Sequence, residues 1–259
     1  MRRFAATANM AATLGIGENL LVVAGYLLRI LRVLLLLAIW RALFAGRGEV
    51  GGLALQQVLT YTVVASAFSD QIEARTGLSW SIWEGTVNTR LLRPVPAFAD
   101  YLAEAVGTWL FRLVTFTMPV LLLAPLIGVR TMPADTTAGG LFVISLLLAI
   151  AVGVAIDFLW GTLVVWLDQS LWSIEMSRSS IASFLGGAVI PLPLLPGGLG
   201  DVFALLPFAS MASAPLLIFV GHEGAKGLLL LQGMWAVALW AGALLFWRTS
   251  APRMVSHGG

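Results

Sequence analysis

The sequence contains no cysteine, one lysine and two histidines, and only 11% of its residues are charged. Without cysteine there can be no disulfide, thiolate metal site or cysteine nucleophile. His222-Glu223 opens like the H-E-x-x-H zinc helix, but Lys226 takes the place of the second histidine, and the other histidine, His257, is far along the tail. That metalloprotease site is therefore excluded. No G-x-x-x-x-G-K-[ST] loop occurs, so any ATP coupling must come from another subunit. Neither a G-x-S-x-G elbow nor an Asp-rich prenyltransferase pairing is present. Lys226 begins a span among Gly and Glu rather than lying desolvated in mid-helix, which argues against a Schiff base. No metal and no cofactor is expected.

What fills the chain instead is apolar. Hydrophobic residues make up 59% of it and the mean hydropathy is +0.93, whereas a soluble domain carries about a quarter charged residues. A fold of this size has too little polar surface to cover itself in water. A helical span takes about 20 predominantly apolar residues, because in hydrocarbon every backbone polar group must be bonded within the segment. Apolar runs bounded by Gly, Pro and charge predict six spans in one transmembrane domain (1–259), near 22–45, 53–70, 99–128, 139–167, 179–196 and 227–247. The fold class expected is all-α integral membrane. Phe4 to Leu20 mixes Ala, Thr and Asn with apolar residues and reads as an interfacial helix. The basic N-terminus lacks a short apolar run ending in a cleavage site, so no removable signal peptide is predicted.

Basic residues in short loops collect on the cytoplasmic side. With both termini inside, Arg2, Arg3, Arg75, Arg90, Arg93, Arg178, Arg248 and Arg253 lie in the cytoplasm, against Arg47, Arg130 and Lys226 outside. Eight against three favours that orientation. Trp80, Trp83, Trp166, Trp172 and Trp247 near the inner boundary and Trp40 near the outer one agree with it. The net charge of +2 thus reports topology, and no nucleic-acid partner is expected.

Two connections stand apart. Between spans two and three, Ser81 and Glu84 are spaced as a capping box, Pro94 ends the segment, and Trp80, Trp83, Val87 and Leu91 recur at helical intervals. This predicts an amphipathic helix along the cytoplasmic face, with Glu84, Asn88, Arg90 and Arg93 on its polar side, either docking on a soluble partner or anchoring at the interface. Between spans five and six, Pro191, Pro193, Pro196, Pro207 and Pro215 stand among Gly197, Gly198, Gly200 and strongly apolar residues. Such a stretch cannot continue a helix and is too apolar for a solvated loop, which predicts a broken, re-entrant hairpin at the outer face or a greasy outer loop. Inside the spans, Arg112 and Asp157 lie at similar depth and are expected either to pair or, in the case of Asp157, to line a pathway for cations. Asp157 shares a face with Gly153 and Gly161, which allows close backbone approach. Arg29 and Arg32 are expected to snorkel or to meet lipid phosphate.

The run Trp40 to Phe44, then Glu49 to Gly52, then a cytoplasmic helix ending at Leu91 to Val95, resembles the permease subunits of bacterial ABC-2-type exporters, and within them the viologen or drug exporter branch. The stretch Gly187 to Gly197, followed by Leu206 to Phe208 and Pro215, is similar to that family's pattern, and the likeness covers essentially the whole chain. Gly198 departs from the family's bulky aromatic, and Val255 to Gly259 interrupts its Val-Gly-Gly ending. The resemblance implies a half-transporter in the bacterial inner membrane: two permease chains, identical or paired with a sister chain, on two ATPase subunits. It makes the segment with Glu84, Gly85, Arg90 and Arg93 the ATPase-coupling helix and the proline segment an outer gate. A standalone proton-linked transporter or membrane scaffold is the alternative, against which stand the absence of an internal repeat and of deep acids other than Asp157.

Overall fold

The computed structural model describes residues 19–92, 96–167 and 170–257. The expected interfacial helix falls on residues 1–18, and Arg93 and Pro94 also lie outside the described residues. Among the described residues the regular secondary structure is helical apart from one hairpin. In chain order it runs α1 (Asn19–Leu43), β1 (Glu49–Val50), β2 (Leu53–Ala54), α2 (Leu55–Ala67), α3 (Ser69–Glu73), α4 (Leu78–Trp83), α5 (Val87–Leu91) and α6 (Ala97–Arg112). It continues through a π-turn (Leu113–Thr117), α7 (Met118–Leu123), α8 (Thr136–Leu163), α9 (Leu171–Leu185), α10 (Leu199–Ala204), α11 (Pro207–Met211), α12 (Ser213–Phe219) and α13 (Ala225–His257).

Four helical segments are long and apolar enough to cross a membrane: Val23–Leu43, Ala97–Ile127, Thr136–Leu163 and Ala225–Ser250. They match four of the six expected spans to within a few residues. The other two are interrupted. The expected 53–70 is α2, of 13 residues, continued by the short α3 and ended by Ala74, whose φ of +45° makes it a left-handed residue. The expected 179–196 is α9, which starts eight residues earlier than predicted and stops at Leu185. Hydropathy does not mark the end of α9, since the residues after Leu185 are apolar or glycine as far as Pro191.

Helix α8 is the post on which the rest is built. In its most apolar stretch 56% is buried, against 17% or less in the other three long helices. Asp135 caps it, accepting from the Ala138 N–H at 2.7 Å. Helices α3, α4, α9, α11, α12 and α13 all touch it. The approach of the α3–α4 stretch is set by glycine: a Cβ on Gly153 would lie 2.6 Å from Ala74 Cβ, and one on Gly161 would lie 3.0 Å from Leu78. Across α8 a buried amide ties three helices, with Gln232 accepting from Ser145 Oγ at 2.7 Å and donating to the carbonyls of Ser145 and Ser210.

The π-turn after α6 has a sequence cause. Pro119 has no N–H, and its ring crowds the carbonyl four residues back, so the ladder widens over Leu113–Thr117. The freed geometry is pinned by Thr117, which donates to the Ala67 carbonyl at 2.7 Å.

Candidate functional site

The segment after α3 reaches the Leu163 end of α8. Gly77, at φ +71°, opens α4, so Ser81 lies buried inside that helix rather than capping it. The expected single helix is split by Gly85 at φ +72°, because a left-handed residue ends an α-helix. The stripe is divided accordingly. Trp80 and Trp83 are 52% and 62% exposed and meet edge to face at 5.7 Å, while Val87 turns inward against Val165 and Trp247. Glu84 is exposed beside the two indoles. Asn88 is half-buried, its Oδ1 without a hydrogen bond.

Arg90 is not on the outward polar face expected of it. It donates to Glu104 at 2.7 Å and to Asp100 at 3.4 Å, and stands 4.4 Å from the Tyr101 ring centre. Burial works against its charge, but the hydrogen bond and charge of Glu104, with Tyr101 and Asp100 behind it, hold the guanidinium above its ordinary pKa. Arg90 thus fastens α5 to α6.

Arg112 and Asp157 do not pair. Arg112 is held with Arg29 on Asp70, where Arg29 Nη1 donates to Oδ2 at 2.9 Å and Arg112 Nη1 to Oδ1. Arg29 therefore turns inward to a protein partner instead of snorkelling. Asp157 faces Arg178 at 3.5 Å and accepts from the Thr76 N–H at 2.9 Å and Thr76 Oγ1 at 2.5 Å. The physical reason is the interrupted second span: by bending at Phe68 and Ala74, the chain drives Asp70 and Thr76 between the two residues expected to meet. Arg178, expected in a cytoplasmic loop, is two turns inside α9 and donates to the Glu73 carbonyl at 3.2 Å. Asp70 was legible as an acid at the end of a predicted span; no spacing in the sequence pointed to Arg178.

At the opposite end, the hairpin turn Gly51-Gly52 uses two positive φ angles, +58° and +72°, and a Cβ on Gly51 would fall 2.2 Å from the Pro193 carbonyl oxygen. Pro191 precedes a 3-10 turn over Leu192–Leu194, Pro196 is exposed and Pro207 starts α11. From there the chain dips to Met211, whose Cε lies near Gly153 of α8, and climbs through the wholly buried α12 to Phe219, which accepts from the Ala134 N–H at 3.0 Å. Tyr61 of α2 donates to the Gly187 carbonyl at 2.6 Å, and Gln57 to that of Val220 at 3.1 Å, so the second helix closes both ends of this excursion.

The described residues hold no group of His, Asp or Glu able to bind a metal. No curated protein matches the sequence. Residues 30–258 do match the family model described as "ABC-2 family transporter protein", so the chain belongs to that family and is a multi-pass membrane permease of the ATP-binding cassette class.

Proposed function

We propose that the protein is the permease half of an exporter that moves a hydrophobic or amphipathic substrate, drug, cation or lipid-like, out across a bacterial inner membrane. Two such chains, or one and a sister permease, would sit on two ATPase subunits, and α4 with the Gly85 turn would be the docking element. The observation that carries this is the exposed Trp80–Trp83 pair beside Glu84, at the end of α8 remote from the proline segment. Exposed paired indoles with an acid at their rim fit a cleft in a soluble partner. The element is connected to the membrane helices: Gly77 and Thr76 precede it, and Thr76 is bound to Asp157 of α8. A push on α4 would reach the central helix through two hydrogen bonds and the Arg178 ion pair. Arg93 and Pro94 complete the coupling motif in sequence.

In this reading the chain crosses six times, with α2–α3 and α9 as interrupted crossings and both termini cytoplasmic. Removing Arg178 from the loop count still leaves seven basic residues inside against three outside. The dip from Pro193 to Met211 and back to Phe219 supports a re-entrant outer segment, with Pro191, Pro193, Pro196 and Pro207 at the gate.

Co-purification with the ATPase tests the docking element. Trp80→Ala, Trp83→Ala and Glu84→Arg together should lower association about tenfold or more, as loss of buried aromatic anchors does, while the permease stays monodisperse. Undiminished association in that variant overturns the assignment. Arg90 is unsuitable for this purpose, since its partners are Glu104 and Asp100 of the same chain.

A further inference from the structure

A cavity of about 420 Å³ lies between α1, the stretch from α3 to Gly77, and α6. Its wall on α6 is polar: Glu104, Thr108 and Arg112 recur at intervals of four and so share one face. Arg112 is the midpoint of the 31-residue apolar segment Ala97–Ile127. A charge at that depth persists only where it is paired, wet or used.

Pairing does not satisfy it. Glu73 is taken by Arg75 at 3.1 Å and Glu104 by Arg90 at 2.7 Å, which leaves Asp70 to serve both Arg29 and Arg112. Three arginines and three acids line the cavity in all, but around Asp70 two guanidiniums share one carboxylate, so that corner is locally positive. Arg29 uses both terminal nitrogens on Asp70 and stands 4.6 Å from the Phe116 ring centre, so it is fixed. Arg112 uses Nη1 alone; its Nη2 and Nε donate to nothing among the described residues, and its side chain is 44% exposed. The π-turn begins at the next residue, and such turns concentrate at functional sites.

We propose that this cavity binds the phosphate headgroup of a membrane phospholipid, with Arg112 as the anion contact, Arg29 beside it adding positive charge, and Asp70 as the carboxylate that the phosphate competes with. A guanidinium fork with two unused donors matches phosphate oxygens. The flanking outward residues Leu28, Leu31 and Leu110 are exposed and apolar, so acyl chains stay in hydrocarbon while the headgroup comes in from the side. Use of the site for cargo rests on the exporter reading; the binding itself does not.

The test uses the full chain in detergent without an ATPase, so the lack of an ATPase partner leaves its result untouched. Radiolabelled dihexanoyl phosphatidic acid should bind at least about tenfold more tightly than dihexanoylglycerol, the difference that charged hydrogen bonds make. Arg112→Gln should bring the two within about threefold, and Arg112→Lys, which keeps the charge but loses the fork, should leave a preference between those of Arg112→Gln and the unaltered chain. Asp70→Asn retains both guanidiniums and should raise phosphatidic acid affinity about threefold, which reads the site even where Arg112→Gln fails to fold. Equal binding of the charged and neutral amphiphiles, an unchanged preference in Arg112→Gln, or weaker binding in Asp70→Asn overturns the site. Inorganic phosphate at millimolar concentration should not displace the lipid; full displacement makes this a small-anion site and overturns the lipid assignment.

Discussion

Arg178 and Asp157 have side chains 2% and 4% exposed, which makes their pair a matter of balance rather than of surplus stability. Two buried charges repay their desolvation only while both are present; removing one leaves the other uncompensated. Arg178→Met is expected to destabilise the protein by about 3–5 kcal/mol. Adding Asp157→Asn should recover most of that loss, because the neutral amide still accepts from Thr76. Thermal denaturation followed by monodispersity reads both, and a double variant no better than the single one contradicts the account. A second test concerns space. Gly153→Ala puts a methyl within 2.6 Å of Ala74 Cβ, and overpacking of this kind costs about 1–3 kcal/mol. Ala74→Gly removes that methyl and suits the left-handed φ of +45°. The pair Gly153→Ala with Ala74→Gly should therefore unfold at a higher temperature than Gly153→Ala alone, measured in the same detergent.

The elements legible in the sequence were those whose apolar character runs unbroken. Val23–Leu43, Ala97–Ile127, Thr136–Leu163 and Ala225–Ser250 were expected nearly where they lie, since span length and hydropathy suffice to place a straight helix. Gly153, Asp157 and Gly161 were expected on one face of α8, and the α3–α4 stretch packs there. The breaks were not legible. Ala74 adopts a conformation that its side chain does not announce, and Gly85 divides a stripe whose spacing reads as continuous. Several misplaced contacts follow from those breaks, since Asp70 reaches Arg112, Thr76 reaches Asp157, and Arg90 turns to α6, whereas Arg178 is carried inward by the early start of α9. Gln232 shows the same blindness within a straight helix, for nothing in its spacing points to Ser145 and Ser210. Gln232→Leu should cost about 1 kcal/mol, the scale of a hydrogen-bonded contact between membrane helices, and should loosen α13 from α8. Faster hydrogen exchange in α11 and α13, with α1 unchanged, is the expected signature.

At the scale of the molecule the open matter is orientation, and the absence of cysteine makes it directly testable. Single cysteines introduced into a chain that has none report one position each. Glu84, exposed beside the tryptophan pair, and Glu223, exposed between α12 and α13, lie toward opposite ends of α8. The first follows α4, which packs beside Gly161; the second follows Phe219, which is bonded to Ala134. With both termini inside, Glu84→Cys should react with a membrane-impermeant maleimide only in inside-out vesicles, and Glu223→Cys only in intact cells. The reverse pattern would invert the molecule and put the tryptophan pair where no cytoplasmic ATPase can reach it. Labelling of both from one side would mean an even number of crossings between them, and so would remove the interrupted segment α9 from the spanning set. Because the basic residues that remain in loops still favour the inside by more than two to one, the expected result is the first.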